Sequence, residues 1–121
     1  MTRARIRLGK EGEAAALRFL KSKGYRILQK NFKTRFAEID IIAEDKKILC
    51  FIEVKTRQDI SCGLPRESVT MTKQKKIAMG AAAYLQKANL SDPCMRFDVV
   101  EIFKQGNRHR CNLIRNAFQV Q

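Results

Sequence analysis

Four residues of this 121-residue chain have the types and spacing to act on chemistry together: Glu38, Asp40, Glu53 and Lys55. They stand at the outer ends of two short apolar runs, 39–43 and 48–54, separated by the charged segment Glu44-Asp45-Lys46-Lys47. Each run is rich in Ile, Val and Phe, which favours strand over helix, so 38–55 reads as a hairpin. With the turn centred on Asp45-Lys46, Ile42 faces Leu49, Asp40 faces Phe51 and Glu38 faces Glu53. Side chains alternate between faces, so all four charged residues then share one face. Asp40 and Glu53 become diagonal neighbours, roughly 7–8 Å apart at the backbone, and both carboxylates can reach one cation. A slip of one residue would send Asp40 to the other face. The same residues also suit a Glu53–Lys55 or Glu38–Lys55 ion pair at a solvated strand end, and the spacing alone does not separate the two readings.

The opposite face of the hairpin is wholly apolar: Ile39, Ile41, Ala43, Ile48, Cys50, Ile52 and Val54. Such a hairpin belongs inside a sheet covered on both sides. Upstream, Leu8, Gly12, Ala16, Phe19, Leu20 and Lys23 follow helical spacing and Gly24 marks a stop, predicting a helix over 10–23. Glu11 answers the helix dipole; Glu13 suits the same role, but lies one residue from the apolar stripe and can look inward at its margin. A strand over 25–31 and a basic loop over 32–37 follow. Beyond the hairpin, Gly63-Leu64-Pro65 marks an irregular connection. Thr72 is placed to cap a second helix over 73–87, with Ile77, Ala81, Tyr84 and Leu85 inward. Strands over 95–103 and 109–114 close the chain around a turn at Gln105-Gly106-Asn107. Asp98 and Glu101 fall on opposite faces there, as ion-pair partners for Arg96 or Arg110.

Twenty-five Lys and Arg stand against twelve Asp and Glu, a net charge of +13. That balance selects a polyanionic partner, nucleic acid ahead of a membrane surface. Eleven basic residues fall in the first thirty-five positions, opposed by Glu11 and Glu13 alone. Lys73, Lys75 and Lys76 open the second helix, where cations are mildly unfavourable unless an anion sits there. Together with Arg35 and Arg57 they form the candidate nucleic-acid-binding set. The four cysteines are scattered and the single histidine, His109, has no metal-ligand spacing, which argues against a zinc site, a disulfide scaffold and a His-based triad. No signal peptide or membrane-spanning run is present, so the expectation is a soluble cytoplasmic protein with no membrane partner.

Taken in order, the chain resembles the PD-(D/E)xK nuclease superfamily, and within it the bacterial YraN-like proteins, which are similar to archaeal Holliday-junction resolvases. The likeness is carried by Gly9-Lys10-Glu11-Gly12-Glu13 with Ala16, Gly24-Tyr25, Asn31, Glu38-Ile39-Asp40 and Phe51-Ile52-Glu53-Val54-Lys55-Thr56-Arg57. Gly63, Lys73, Ala82, Arg96-Phe97-Asp98-Val99-Val100 and Asn116-Ala117-Phe118 complete it. One departure is Ala37, where the family usually has glycine. The resemblance implies one domain over 1–121, an α/β restriction-endonuclease-like fold with a mixed sheet of about five strands flanked by helices. It implies that Asp40 and Glu53 bind a metal ion, joined by Glu13 as an additional helix acid. Lys55 would orient or help deprotonate the attacking water. Hard oxygen ligands suit Mg²⁺ or Mn²⁺. The expected activity is metal-dependent hydrolysis of phosphodiester bonds in branched or structured DNA, with DNA ahead of RNA and a homodimer left open. The alternatives are a binding module that keeps the fold without cleaving, and a basic protein docked on the ribosome or another RNA assembly.

Overall fold

In the computed structural model, which describes residues 3–57 and 69–119, seven elements follow one another. They are α1 (Arg3–Ser22), β1 (Arg26–Lys33), β2 (Glu38–Asp45), β3 (Ile48–Arg57), α2 (Met71–Lys87), β4 (Met95–Gln105) and β5 (Arg108–Phe118). The strands form one sheet in the order β1-β2-β3-β4-β5. Every pair is antiparallel except β3–β4, which α2 connects as a crossover. This is the expected mixed α/β sheet with the hairpin inside it. The Gly63-Leu64-Pro65 connection lies outside the described residues, as does Cys62.

The alternation of apolar side chains on β2, β3 and β4 explains why two helices are needed. Ile41, Ala43, Cys50, Ile52, Val100 and Ile102 face α1, meeting Ala15, Ala16 and Leu20. Ile42, Phe51, Phe97 and Val99 face the other way, against Ile77 and Ala81 of α2. Close approach is set by small residues. A Cβ on Gly12 would lie 2.6 Å from Oγ1 of Thr56, so α1 presses directly on the end of β3. Helix α2 begins two residues earlier than expected because Thr70, with extended φ −64° and ψ 157°, accepts the Lys73 amide and caps it. Strands β4 and β5 both run past their expected ends.

At the hairpin-tip end of the sheet lies a buried polar cluster. Asp98 is fully buried and accepts four hydrogen bonds: from Arg96 Nε at 2.8 Å, Arg96 Nη2 at 3.1 Å, Tyr25 Oη at 2.9 Å and the Asn116 amide at 2.9 Å. Arg96 Nη2 also reaches Asp45 at 2.9 Å. The Asn116 contact requires a break in the β4–β5 ladder. The pairing shifts between Phe97↔Phe118 and Val99↔Ile114, and Asn116 takes φ 51° to aim its amide at Asp98. Arg96 is thus the partner expected for Asp98. Glu101 instead pairs with Arg57 at 3.8 Å and accepts from Asn112 at 3.0 Å, while Arg110 lies over the Phe103 ring.

The β2–β3 turn sits on Lys46-Lys47, one residue beyond the expected centre, with φ of 50° and 71°. Two successive left-handed residues make the turn whose twist matches a two-residue hairpin, and lysine is a poor residue for it. Replacing the pair by Lys46→Asn with Lys47→Gly is expected to raise stability by about 1 kcal/mol. Urea unfolding checks this: the midpoint should rise with an unchanged m-value.

Candidate active site

The moved turn changes the partners across the hairpin by two residues. Ile42 stands opposite Phe51, not Leu49, and pairing runs from Asp45↔Ile48 to Ile41↔Ile52. A shift of two keeps Ile41, Ala43, Cys50 and Ile52 on their expected face, but Ile39, expected with them, packs on the other side with Ile42 and Phe51, against Gly80 of α2. The ladder ends at Ile41↔Ile52, one residue short of Asp40 and Glu53. There the Asp40 side chain takes over from the main chain, its Oδ2 accepting the Val54 amide at 2.8 Å. One oxygen is thereby fixed to the strand that carries Glu53.

Glu53 is buried, 6% exposed, and its Oε1 lies 2.6 Å from Nζ of Lys73. Lys73 comes from the first turn of α2, where the helix dipole disfavours a cation. The acids offset that cost: hydrogen bonding to Glu53 raises the Lys73 pKa against the opposing effect of burial, and the charges of Glu53, Asp40 and Glu38 raise it further. Asp40 is pushed up to about 7, by burial first and then by repulsion from Glu53. Repulsion from Glu38 adds to this, whereas the Val54 amide and Lys73 work in the opposite direction.

These residues open into a cavity of about 550 Å³ between the β1–β2 turn and the start of α2. Asp40, Glu53, Glu38, Lys73, Lys76 and Lys33 line it, with Phe36 at the turn. The turn is built by Thr34, whose Oγ1 accepts the amides of Phe36 at 3.3 Å and Ala37 at 3.0 Å. Ala37 is not among the residues of positive φ, so alanine fits where the resembled proteins have glycine.

The other expected site residues fall elsewhere. Glu13 belongs to α1, on the opposite side of the sheet from α2, and its Oε1 accepts from Asn31 at 3.0 Å. Asn31 lies between Lys30↔Ile41 and Phe32↔Ile39, level with Asp40, so Glu13 reaches the height of the site from the other face. Lys55 is half-buried, in register with Glu101 of β4, and does not line the cavity. Arg57 is engaged with Glu101, and the exposed Lys75 is not a lining residue. His109 lines a separate hollow with Arg18 and Arg108. Lys73 was expected to contact nucleic acid; its place beside Glu53 depends on how α2 docks, which spacing along the chain does not encode.

Among the described residues, no three His, Cys, Asp or Glu side chains gather closely enough to hold one ion. The donor set available is Asp40 and Glu53. Two carboxylates suit an ion that keeps several waters and takes its remaining ligands from a substrate, which describes Mg²⁺ better than Ca²⁺ or Zn²⁺. Their mutual repulsion is what a cation between them would relieve.

The uncharacterised protein family UPF0102 matches residues 12–102. The chain belongs to UPF0102. A UPF0102 protein of Desulforapulum autotrophicum is 46% identical over 119 residues, covering 98% of each chain. One of Symbiobacterium thermophilum is 47% identical over 113 residues, 93% of this chain and 96% of its own. One of Chlorobium phaeobacteroides is 50% identical over 117 residues, 92% and 93% of the respective chains. The UPF0102 match takes in Glu13, Asp40, Glu53, Lys73 and Glu101, hence the whole cavity lining and strands β1 to β3.

In chelating buffer, the raised Asp40 pKa makes a prediction about stability. Between about pH 4, where the unfolded aspartate ionises, and about pH 7, the folded state holds a proton that the unfolded state has lost. Stability is therefore expected to fall as pH rises across that window. Asp40→Asn keeps an acceptor for the Val54 amide and should lose this component of the slope, becoming the more stable of the two at pH 8. Denaturant unfolding of both proteins at several pH values checks it, and parallel curves would contradict it.

Proposed function

We propose that this UPF0102 protein is a metal-dependent nuclease that hydrolyses phosphodiester bonds, with structured or branched DNA as its substrate. The observation that carries this reading is the convergence of Asp40 and Glu53 in one cavity with Lys73, Lys76 and Lys33 in its lining. A fold needing only stability has no reason to set two acids against each other where one is driven towards protonation. A phosphodiester, by contrast, needs its negative charge offset before water can attack it. Mg²⁺ or Mn²⁺ held by Asp40 and Glu53 would supply that offset and lower the pKa of water. The chain's own residues do the rest. Lys33 and Lys76 draw the strand into the cavity. Lys73 is half exposed, and with the charge of Glu53 offset it would be free to meet a phosphate oxygen. Asp40, whose Oδ2 accepts the Val54 amide, would present a fixed carboxylate to such an ion.

Binding without hydrolysis is the second reading, favoured by the Lys73–Glu53 pair, which already balances one acid, and by the position of Lys55 off the cavity. A cleavage panel decides between them, using duplex, single-strand, flap and four-way-junction DNA, plus RNA, with Mg²⁺ or Mn²⁺. The expected outcome is cleavage that chelation abolishes. Asp40→Asn should slow it at least about 10²-fold while leaving nucleic-acid binding nearly unchanged. Lys73→Ala should slow it more than Lys55→Ala, because only Lys73 lines the cavity. Wild type and Asp40→Asn that bind equally and are equally inert would establish the binding module instead.

A further inference from the structure

Phe36 is the largest apolar side chain left in the open beside the candidate site, 66% exposed and part of the cavity lining. A single exposed apolar residue needs no explanation by itself. This one has three further properties. Its backbone is held in place: Thr34 Oγ1 accepts both the Phe36 and Ala37 amides, and the Thr34 amide donates to the Ala37 carbonyl at 2.8 Å. Its ring is layered with a cation, the Arg35 guanidinium standing 5.5 Å from the ring centroid. It also sits two residues before Glu38 and four before Asp40, on the turn that leads into β2. A rigid turn thus presents a bare aromatic face, beside an Arg, at the rim of an acid-and-lysine cavity.

We infer that Phe36 is a stacking platform for an unpaired nucleobase, which makes single-stranded or branched nucleic acid the substrate class of this cavity. The inference rests on the nucleic-acid reading of the site and adds to it which form of nucleic acid enters. A base inside a duplex has both faces covered by its neighbours and offers none to Phe36. An unpaired base at a junction, flap or single strand has a free face, and its stacking on an aromatic ring is indifferent to base identity. The Arg35 guanidinium carries the charge that meets the same strand's phosphate. Discrimination comes from stacking, while the lysines supply attraction that any nucleic acid shares.

The test is binding in chelating buffer, so that hydrolysis plays no part. The probe is a short DNA strand containing 2-aminopurine, used single-stranded and as a blunt duplex. Wild type should bind the single strand more tightly and quench its fluorescence. Phe36→Ala should weaken single-strand binding roughly 5- to 150-fold and remove the quench, with duplex binding and its salt dependence unchanged. Phe36→Trp should restore both properties; Phe36→Leu, apolar but without a π face, should not. Equal losses for single strand and duplex, restoration by Leu as complete as by Trp, no effect of Phe36→Ala, or no binding by wild type to either form overturns the inference. If the Phe36 series behaves as expected while no substrate is cleaved with Mg²⁺ or Mn²⁺, the hydrolytic reading falls and this one stands.

Discussion

A carboxylate with no exposure to water, Asp98, fixes the frame on which everything else hangs. Burying an ionised group is costly unless its lone pairs are filled by well-placed donors. Here the four hydrogen bonds come from two strands and the residue that precedes β1: Arg96 from β4 itself, Tyr25, and the main chain of β5 at Asn116. Arg96 carries the cluster on to Asp45, the last residue of β2. Burial pushes the Tyr25 hydroxyl up to about 12, with the hydrogen bond to Asp98 reinforcing it. The hairpin tip, the start of β4 and the bulge of β5 are thus tied at one point. With that end fixed, β3 and β4 keep one parallel register, and Glu53 is carried to a set place at the far end.

The two ends of the sheet treat their acids in opposite ways. At the Asp98 end each negative charge meets a guanidinium, and Asp98 accepts four hydrogen bonds. At the cavity end Asp40 meets Glu53 and Glu38, with one amide and one half-exposed lysine to oppose the repulsion. The first arrangement balances its charges internally. The second holds an electrostatic conflict that a cation or a proton can relieve. Both ends offered acids beside bases in the sequence, and only the geometry distinguishes the balanced end from the unbalanced one.

Much of this was legible from periodicity. The apolar alternation of β2 and β3 identified the hairpin, its interior place and the shared face of Asp40 and Glu53. The turn was misplaced by one residue because Glu44-Asp45-Lys46-Lys47 contains no glycine or asparagine to mark which two residues take positive φ. Parity rescued the site, since moving the turn by one residue moves the partners by two. The same reasoning paired Arg96 with Asp98. It could not find Arg57 for Glu101, or Lys73 for Glu53, because those contacts cross between elements distant in sequence. Thr70 and Thr72 are both able to cap α2, and docking of the helix, not composition, selected the first. Glu13 leans inward as its helical position implied, yet a helix face alone does not say which side of a sheet it will cover.

The order of the strands leaves β1 and β5 as the sheet's two margins, each with main-chain groups not taken up by a neighbouring strand. Such margins invite another chain to add itself, and repetition of that event gives fibres. On this molecule one margin carries Arg26, Lys30 and Lys33, and the other Arg108, Arg110 and Arg115. Two copies approaching edge to edge therefore bring like charges together before any hydrogen bond can form. The basic excess at both margins thus opposes edge-to-edge pairing of two copies. Neutralising those side chains to improve a crystal or a binding assay would expose the sheet to self-association.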